Sequence, residues 1–223
     1  MKSTLMKVLA IASVLTPVAA FAQAGKTAPT TATYIMKEDI DKIGASEQSQ
    51  RTRDENVKIV DIGYENFAVG IVHRGSTRTP APAAPAGGGA AAQAQPCGRT
   101  MAVLGPAGTP VAFPPGGTPG GITHDFQTEG YLIISGGGTM FTDGYIVNGR
   151  HNNQDPQGGP NGPTCGGMAY GVKKVTVKVG DVVIIPPGVV HGWADIPDHV
   201  DYLSFRPSQN TLQGGWVNPT IAK

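Results

Sequence analysis

Apolar positions follow a helical period only once in this chain. Met36, Ile40 and Ile43 stand at i, i+4 and i+7 with charged residues between them, and Gly44 follows, so the spacing predicts one short N-terminal amphipathic helix. Beyond it the period is two. Residues 57–62 and 67–74 are rich in β-branched and apolar side chains, and Gly63-Tyr64-Glu65-Asn66 separates them as a turn. In the second run Phe67, Val69, Ile71 and His73 share one face. Further strands are predicted over 131–135, 139–147 (with Asp143-Gly144 inside), 172–179, 182–185 and 202–205. Short strands with turn signals between them, and no repeat of fixed period, predict an all-β sandwich or small barrel.

Composition supports that reading. The 223 residues include 32 glycines and 19 prolines, and only 15% are charged, which argues against a coiled coil or helical bundle. Residues 80–96 are low-complexity Ala/Pro/Gly within a Gly/Pro-rich stretch over 80–121, read as an insertion in the domain; a second such loop spans 149–171. The first 22 residues carry Lys2 and Lys7, a short apolar run over 8–18 and Ala20-Phe21-Ala22. This is the pattern of a signal peptide cut after Ala22, and it predicts a periplasmic or secreted protein. Residues 23–33 then form a flexible N-terminus and 34–223 a single domain. No later apolar stretch is long enough to span a bilayer. With 17 basic against 16 acidic side chains, no electrostatic feature calls for nucleic acid or an anionic membrane.

Two segments carry the chemistry. In the second, Gly180, Pro186, Gly188, His191 and Asp195 follow the spacing G-x5-P-x-G-x2-H-x3-D. Upstream, Gly116, Ile122, His124, Glu129 and Gly136 follow G-x5-I-x-H-x4-E-x6-G. These resemble the paired signatures of the cupin superfamily, with Ile122 in place of the first histidine and Asp195 in place of the final asparagine. The resemblance covers residues 116–206. It implies a cupin-type jelly-roll β-barrel with long Gly/Pro-rich loops, to which residues 57–74 add earlier strands.

Physical chemistry leads the same way. Histidine and glutamate on neighbouring strands of a small barrel can converge on one interior point, and two imidazoles with a carboxylate suit a divalent ion such as Fe, Mn, Zn or Ni. His124, Glu129 and His191 are the candidate metal ligands. Read singly, His191 also suits a cross-strand hydrogen bond and Glu129 a solvated turn. His73 is a candidate additional ligand replacing the histidine missing at Ile122; the competing reading is a satisfied core histidine. Arg150 and His151 are candidate substrate-binding residues at the barrel mouth. No residue stands out as a general base, and neither a Gly-x-Ser-x-Gly elbow nor a Cys-x-x-Cys pair occurs. The two cysteines, Cys97 and Cys165, lie in loops that a jelly roll can bring to one end, and export predicts a disulfide between them.

The expected function is that of a secreted metal-binding cupin acting as an enzyme on a small organic molecule, of dioxygenase, isomerase or lyase type. The alternative is a non-catalytic periplasmic cupin that binds or senses a small molecule. A homodimer is a family-level expectation.

Overall fold

The computed structural model describes residues 29–45, 52–78, 109–152, 161–209 and 211–222. The proposed leader, Cys97 and the insertion as far as residue 108 lie outside the described residues. The predicted helix is present as α1 (Lys37–Gly44), and no helix among the described residues is long and apolar enough to cross a membrane. Everything else is strand and turn: β1 (Thr52–Asp61), β2 (Asn66–Gly75), β3 (Thr118–His124), β4 (Glu129–Thr142) and β5 (Tyr145–Asn152), then β6 (Thr164–Tyr170), β7 (Lys173–Lys178), β8 (Val182–Ile185), β9 (His191–Asp195) and β10 (His199–Ser208).

All pairings are antiparallel, and the strands make two layers joined by one long strand. The first half of β4 pairs with β10 and β8, and β10 continues to β2 and β1. The second half of β4 pairs with β7 and β9, and β9 continues through β3 and β6 to β5. The path runs from β1 to β5 without closing among the described residues, so the fold is an open, jelly-roll-like all-β arrangement. Val72, Tyr131, Ile133, Met140, Val200 and Tyr202 form part of the main apolar core, to which both halves of β4 contribute.

The bend in β4 occurs at Gly136-Gly137-Gly138, where sequence alone suggests a break. Gly136 has φ of +63°, and a Cβ there would lie 2.0 Å from the carbonyl oxygen of His199. Only glycine lets the strand turn against β10 and continue into the other layer. At its far end Asp143 and Gly144 both have positive φ, and this tight turn delivers β5 alongside β6.

Two strands go unrecognised in the sequence. β6 lies within the Gly/Pro-rich loop assigned to 149–171, and β3 begins inside the stretch assigned to insertion, which therefore ends before Thr118. Their glycines are there for proximity. Gly121 opposes Gly167 across the ladder, and a Cβ on either would press within 2.8 Å of a neighbouring side chain. Such strands lack the alternation by which a strand is read.

The shared face of Phe67, Val69, Ile71 and His73 is also present, but it points outward. Ile71 packs with Ile43 of α1, Val57 and Ile221, whereas Val72, on the opposite face, enters the main core. The helix covers the back of the β1–β2 layer and leaves the interior to the alternate residues.

Candidate metal centre

Three strand ends meet in the interior. His124 closes β3, Glu129 opens β4 four residues after the loop begins, and His191 opens β9, between the other two in the sheet. Each is at least 96% buried. The Nε2 atoms of His124 and His191 both stand 3.2 Å from one oxygen, Oε2 of Glu129, and the two rings lie 5.2 Å apart. Donors bound to one ion at ~2.1 Å stand ~3.0–3.4 Å from each other, so these separations suit a shared cation, and the N,N,O donor set suits Fe, Mn, Zn or Ni. Among the described residues this is the one group of three such side chains placed to hold an ion.

The hydrogen bonds around the rings point the same way. Nδ1 of His191 faces the carbonyl of Val189 at 3.0 Å, while its Nε2 faces the carboxylate. Both ring nitrogens thus face acceptors, and a neutral imidazole has one N–H to give. A cation between Nε2 and Oε2 removes the conflict, with Nδ1–H donating to Val189 and the Nε2 lone pair turned inward.

Glu129 is held as an anion. Burial opposes its charge, but His124 and Arg206 beside it, with hydrogen bonds from both histidines, outweigh burial and hold it well below the usual carboxylate range. Arg206 donates from Nε to Oε1 at 2.7 Å, from NH2 to Asp54 at 2.7 Å and from NH1 to Asn56 at 3.3 Å. Burial works against the guanidinium as well, yet Asp54 and Glu129 raise its pKa above the ordinary value. Arg206 therefore occupies Oε1 and leaves Oε2 to face the histidines. The Tyr131 hydroxyl donates to that same Oε2, and burial, then the adjacent carboxylate, pushes its pKa well up, so the phenol keeps its proton.

A cavity of about 420 Å³ opens onto His124, Glu129 and His191. Ile122, at the position of the absent histidine, lies directly across the ladder from His191 and lines this cavity. An apolar wall thus stands where a fourth protein ligand would approach. Arg74, Asn161, Trp193, Ile196 and Tyr202 line other parts of it.

The remaining sequence candidates lie elsewhere. His73 is not brought to the centre: it is on the helix-facing side of β2, its Nδ1 2.6 Å from Asp201, beside a groove under α1. His151 pairs with Asp125 at 2.6 Å, Arg150 is exposed, and neither lines the cavity. Asp195, at the asparagine position of the second motif, receives two hydrogen bonds from Arg78 at 2.9 and 2.7 Å. Cys165 is fully buried against Phe141, Ile146 and Val190 and is not a free thiol, while Cys97 lies outside the described residues.

Sequence reasoning missed Asp54, Arg74, Tyr131 and Arg206. One signal was available: along β10 the residues Tyr202, Ser204, Arg206 and Ser208 alternate with Leu203 and Phe205, and all four are buried. An arginine on the inward row of a strand needs an interior anion.

No protein-family model matches the chain, and no curated protein matches it. Among solved structures, Peruvianin-I, a cysteine peptidase from Thevetia peruviana latex, aligns over 82% of this chain and 82% of its own, at 10% identity and a TM-score of 0.34. So slight a likeness carries no argument about fold family or activity.

Proposed function

We propose that the protein is a cupin-like metal protein that holds one divalent cation on His124, Glu129 and His191 and acts on a small organic molecule in the adjoining cavity. The observation that carries this reading is the position of His191, with an acceptor facing each ring nitrogen. The spacing of the two sequence motifs supports it independently. When bound, the ion supplies Lewis acidity and open coordination positions, the chemistry common to oxygenases, isomerases and lyases with such ligands. The chain's own part is to keep Glu129 ionised through Arg206, to fix the His191 ring through Val189 and to surround the centre with Ile122, Trp193 and Ile196.

The test is elemental analysis of protein purified without added metal, repeated after chelation and reloading with Zn, Mn, Fe or Ni. Close to one ion per chain is expected. His191→Ala should lose most of it while keeping its circular dichroism spectrum. Equal metal content in parent and variant would overturn the assignment.

A second reading, ligand binding without turnover, has an observation of its own. Asp54 is the one carboxylate lining the cavity besides Glu129, and it is engaged by Arg206 and Arg74. Among the described residues the cavity therefore presents no uncommitted carboxylate as a general base. Turnover assays on metal-loaded protein against tight binding of the same compounds separate the two readings.

We further infer that the chain is exported, with cleavage after Ala22, and that Cys97 and Cys165 are joined. Such a bridge stabilises by roughly 4 kcal/mol in the chain-entropy account. Thiol titration of denatured, unreduced protein should find no free thiol; two per chain would remove the bridge.

A further inference from the structure

Resting on the metal reading above, we propose that the cavity selects small organic acids and that Arg74 is the residue that takes their carboxylate. Arg74 lines the cavity from β2, on the face opposite His73, and remains 29% exposed there. Its counter-charge is shared. Asp54 gives one oxygen to Arg206 at 2.7 Å and stands 3.6 Å from Arg74 through the other, a loose contact beside a tight one. Tyr202 lines the same cavity, and the Trp193 ring lies 6.0 Å from that of Tyr202. Among the described residues no carboxylate engages the Arg74 guanidinium closely, the condition in which arginine binds a carboxylate ligand through paired hydrogen bonds.

Charge balance agrees. Among the described residues the cavity is lined by two carboxylates, Asp54 and Glu129, and the guanidiniums of Arg74 and Arg206 that pair with them balance their charge. A divalent ion on the three ligands leaves a surplus of positive charge in a space with low-dielectric walls, which attracts an anion. The walls determine what accompanies the charge. The Trp193 and Tyr202 rings lie 6.0 Å apart and the Tyr131 ring lies tilted 4.3 Å from that of Tyr202, while Ile122 and Ile196 add aliphatic surface. A flat apolar body with one carboxylate matches this combination, and about 420 Å³ admits a molecule the size of a substituted benzoate.

The experiment is isothermal titration of the zinc-loaded protein with benzoate and with benzamide, its uncharged counterpart, in parallel with Arg74→Gln, Arg74→Lys and Arg150→Gln. Benzoate should bind at least tenfold more tightly than benzamide. R74Q should abolish that preference while keeping its full zinc content, R74K should retain part of it, and R150Q, altered at an exposed arginine outside the cavity, should behave as the parent. Equal binding of the two probes by the parent overturns the proposal. So does an unchanged preference in R74Q: if chelation then removes it the carboxylate sits on the metal, and if R150Q removes it the site lies at the loop. A parent that takes up no zinc yet still prefers benzoate through Arg74 would sink the metal reading and leave this one standing.

Discussion

The backbone N–H of Gly188 donates to the carbonyl oxygen of His124 across 2.8 Å. One hydrogen bond thus joins the turn of the second motif to a ligand of the first. Gly188 can make it because its φ is +79°, and the same turn carries Val189, whose carbonyl orients His191. Two consecutive residues of this turn thus touch the two histidines, Gly188 at the His124 backbone and Val189 at the His191 ring.

Gly188→Ala should accordingly affect the metal more than the fold. Strain at this φ costs about 1–3 kcal/mol, within what a stable domain tolerates. The displaced turn should weaken zinc affinity at least tenfold, measured by competition with a chromophoric chelator. Unchanged affinity would mean that the turn does not hold the histidines.

Arg206→Met should destabilise the protein by about 3–5 kcal/mol, because it leaves Asp54 and Glu129 buried without their common counter-charge. Denaturant titration should show a lower midpoint at a similar slope. A loss below about 1 kcal/mol would show that the carboxylates are hydrated or otherwise paired.

Two glycines with similar backbone angles should respond differently to alanine. Gly136→Ala places a Cβ 2.0 Å from the His199 carbonyl oxygen, whereas Gly180→Ala, at φ of +90°, meets nothing within 4 Å. The second should cost about 1 kcal/mol from backbone strain alone, and the first several times as much, with lost solubility or a Tm drop well beyond that of G180A.

Asp195 supplies a pH signature away from the His124–Glu129–His191 group. The hydrogen bonds and charge of Arg78 hold its pKa below the ordinary aspartate value against a small opposing effect of burial. Its contribution is therefore complete above the unfolded pKa and is lost as pH falls through the lower, folded one. Arg78→Ala should lower Tm slightly near neutrality, within the small differences exposed pairs make, and parent and variant should converge as pH falls through that acidic window. A Tm difference that is absent near neutrality and opens only in acid would contradict the assignment.

What could be read in advance follows from what each residue does. The strands with β-branched alternation, the amphipathic helix and the metal-ligand candidates were legible because period and spacing are local. His73 misled because a strand's two faces look alike until a helix takes one; here the Ile71 side lies under α1. Strands β3 and β6 were hidden because their glycines answer to a neighbouring strand at close range, which no single segment records. Arg206 was hidden because its meaning depends on Asp54 and Glu129, far away in sequence and on other strands.

The sharing of β4 between the two layers has a kinetic consequence. The strands that carry His124, Glu129 and His191 meet only where β9 lies between β3 and the far half of β4, through pairings remote in sequence. Such non-local closure makes folding slow, and groups that meet last contribute little to its transition state. A cation bound there would therefore act as a clasp fastened after assembly. It would lengthen the lifetime of the folded chain, seen as slower unfolding in denaturant, while leaving the rate of refolding nearly as it was.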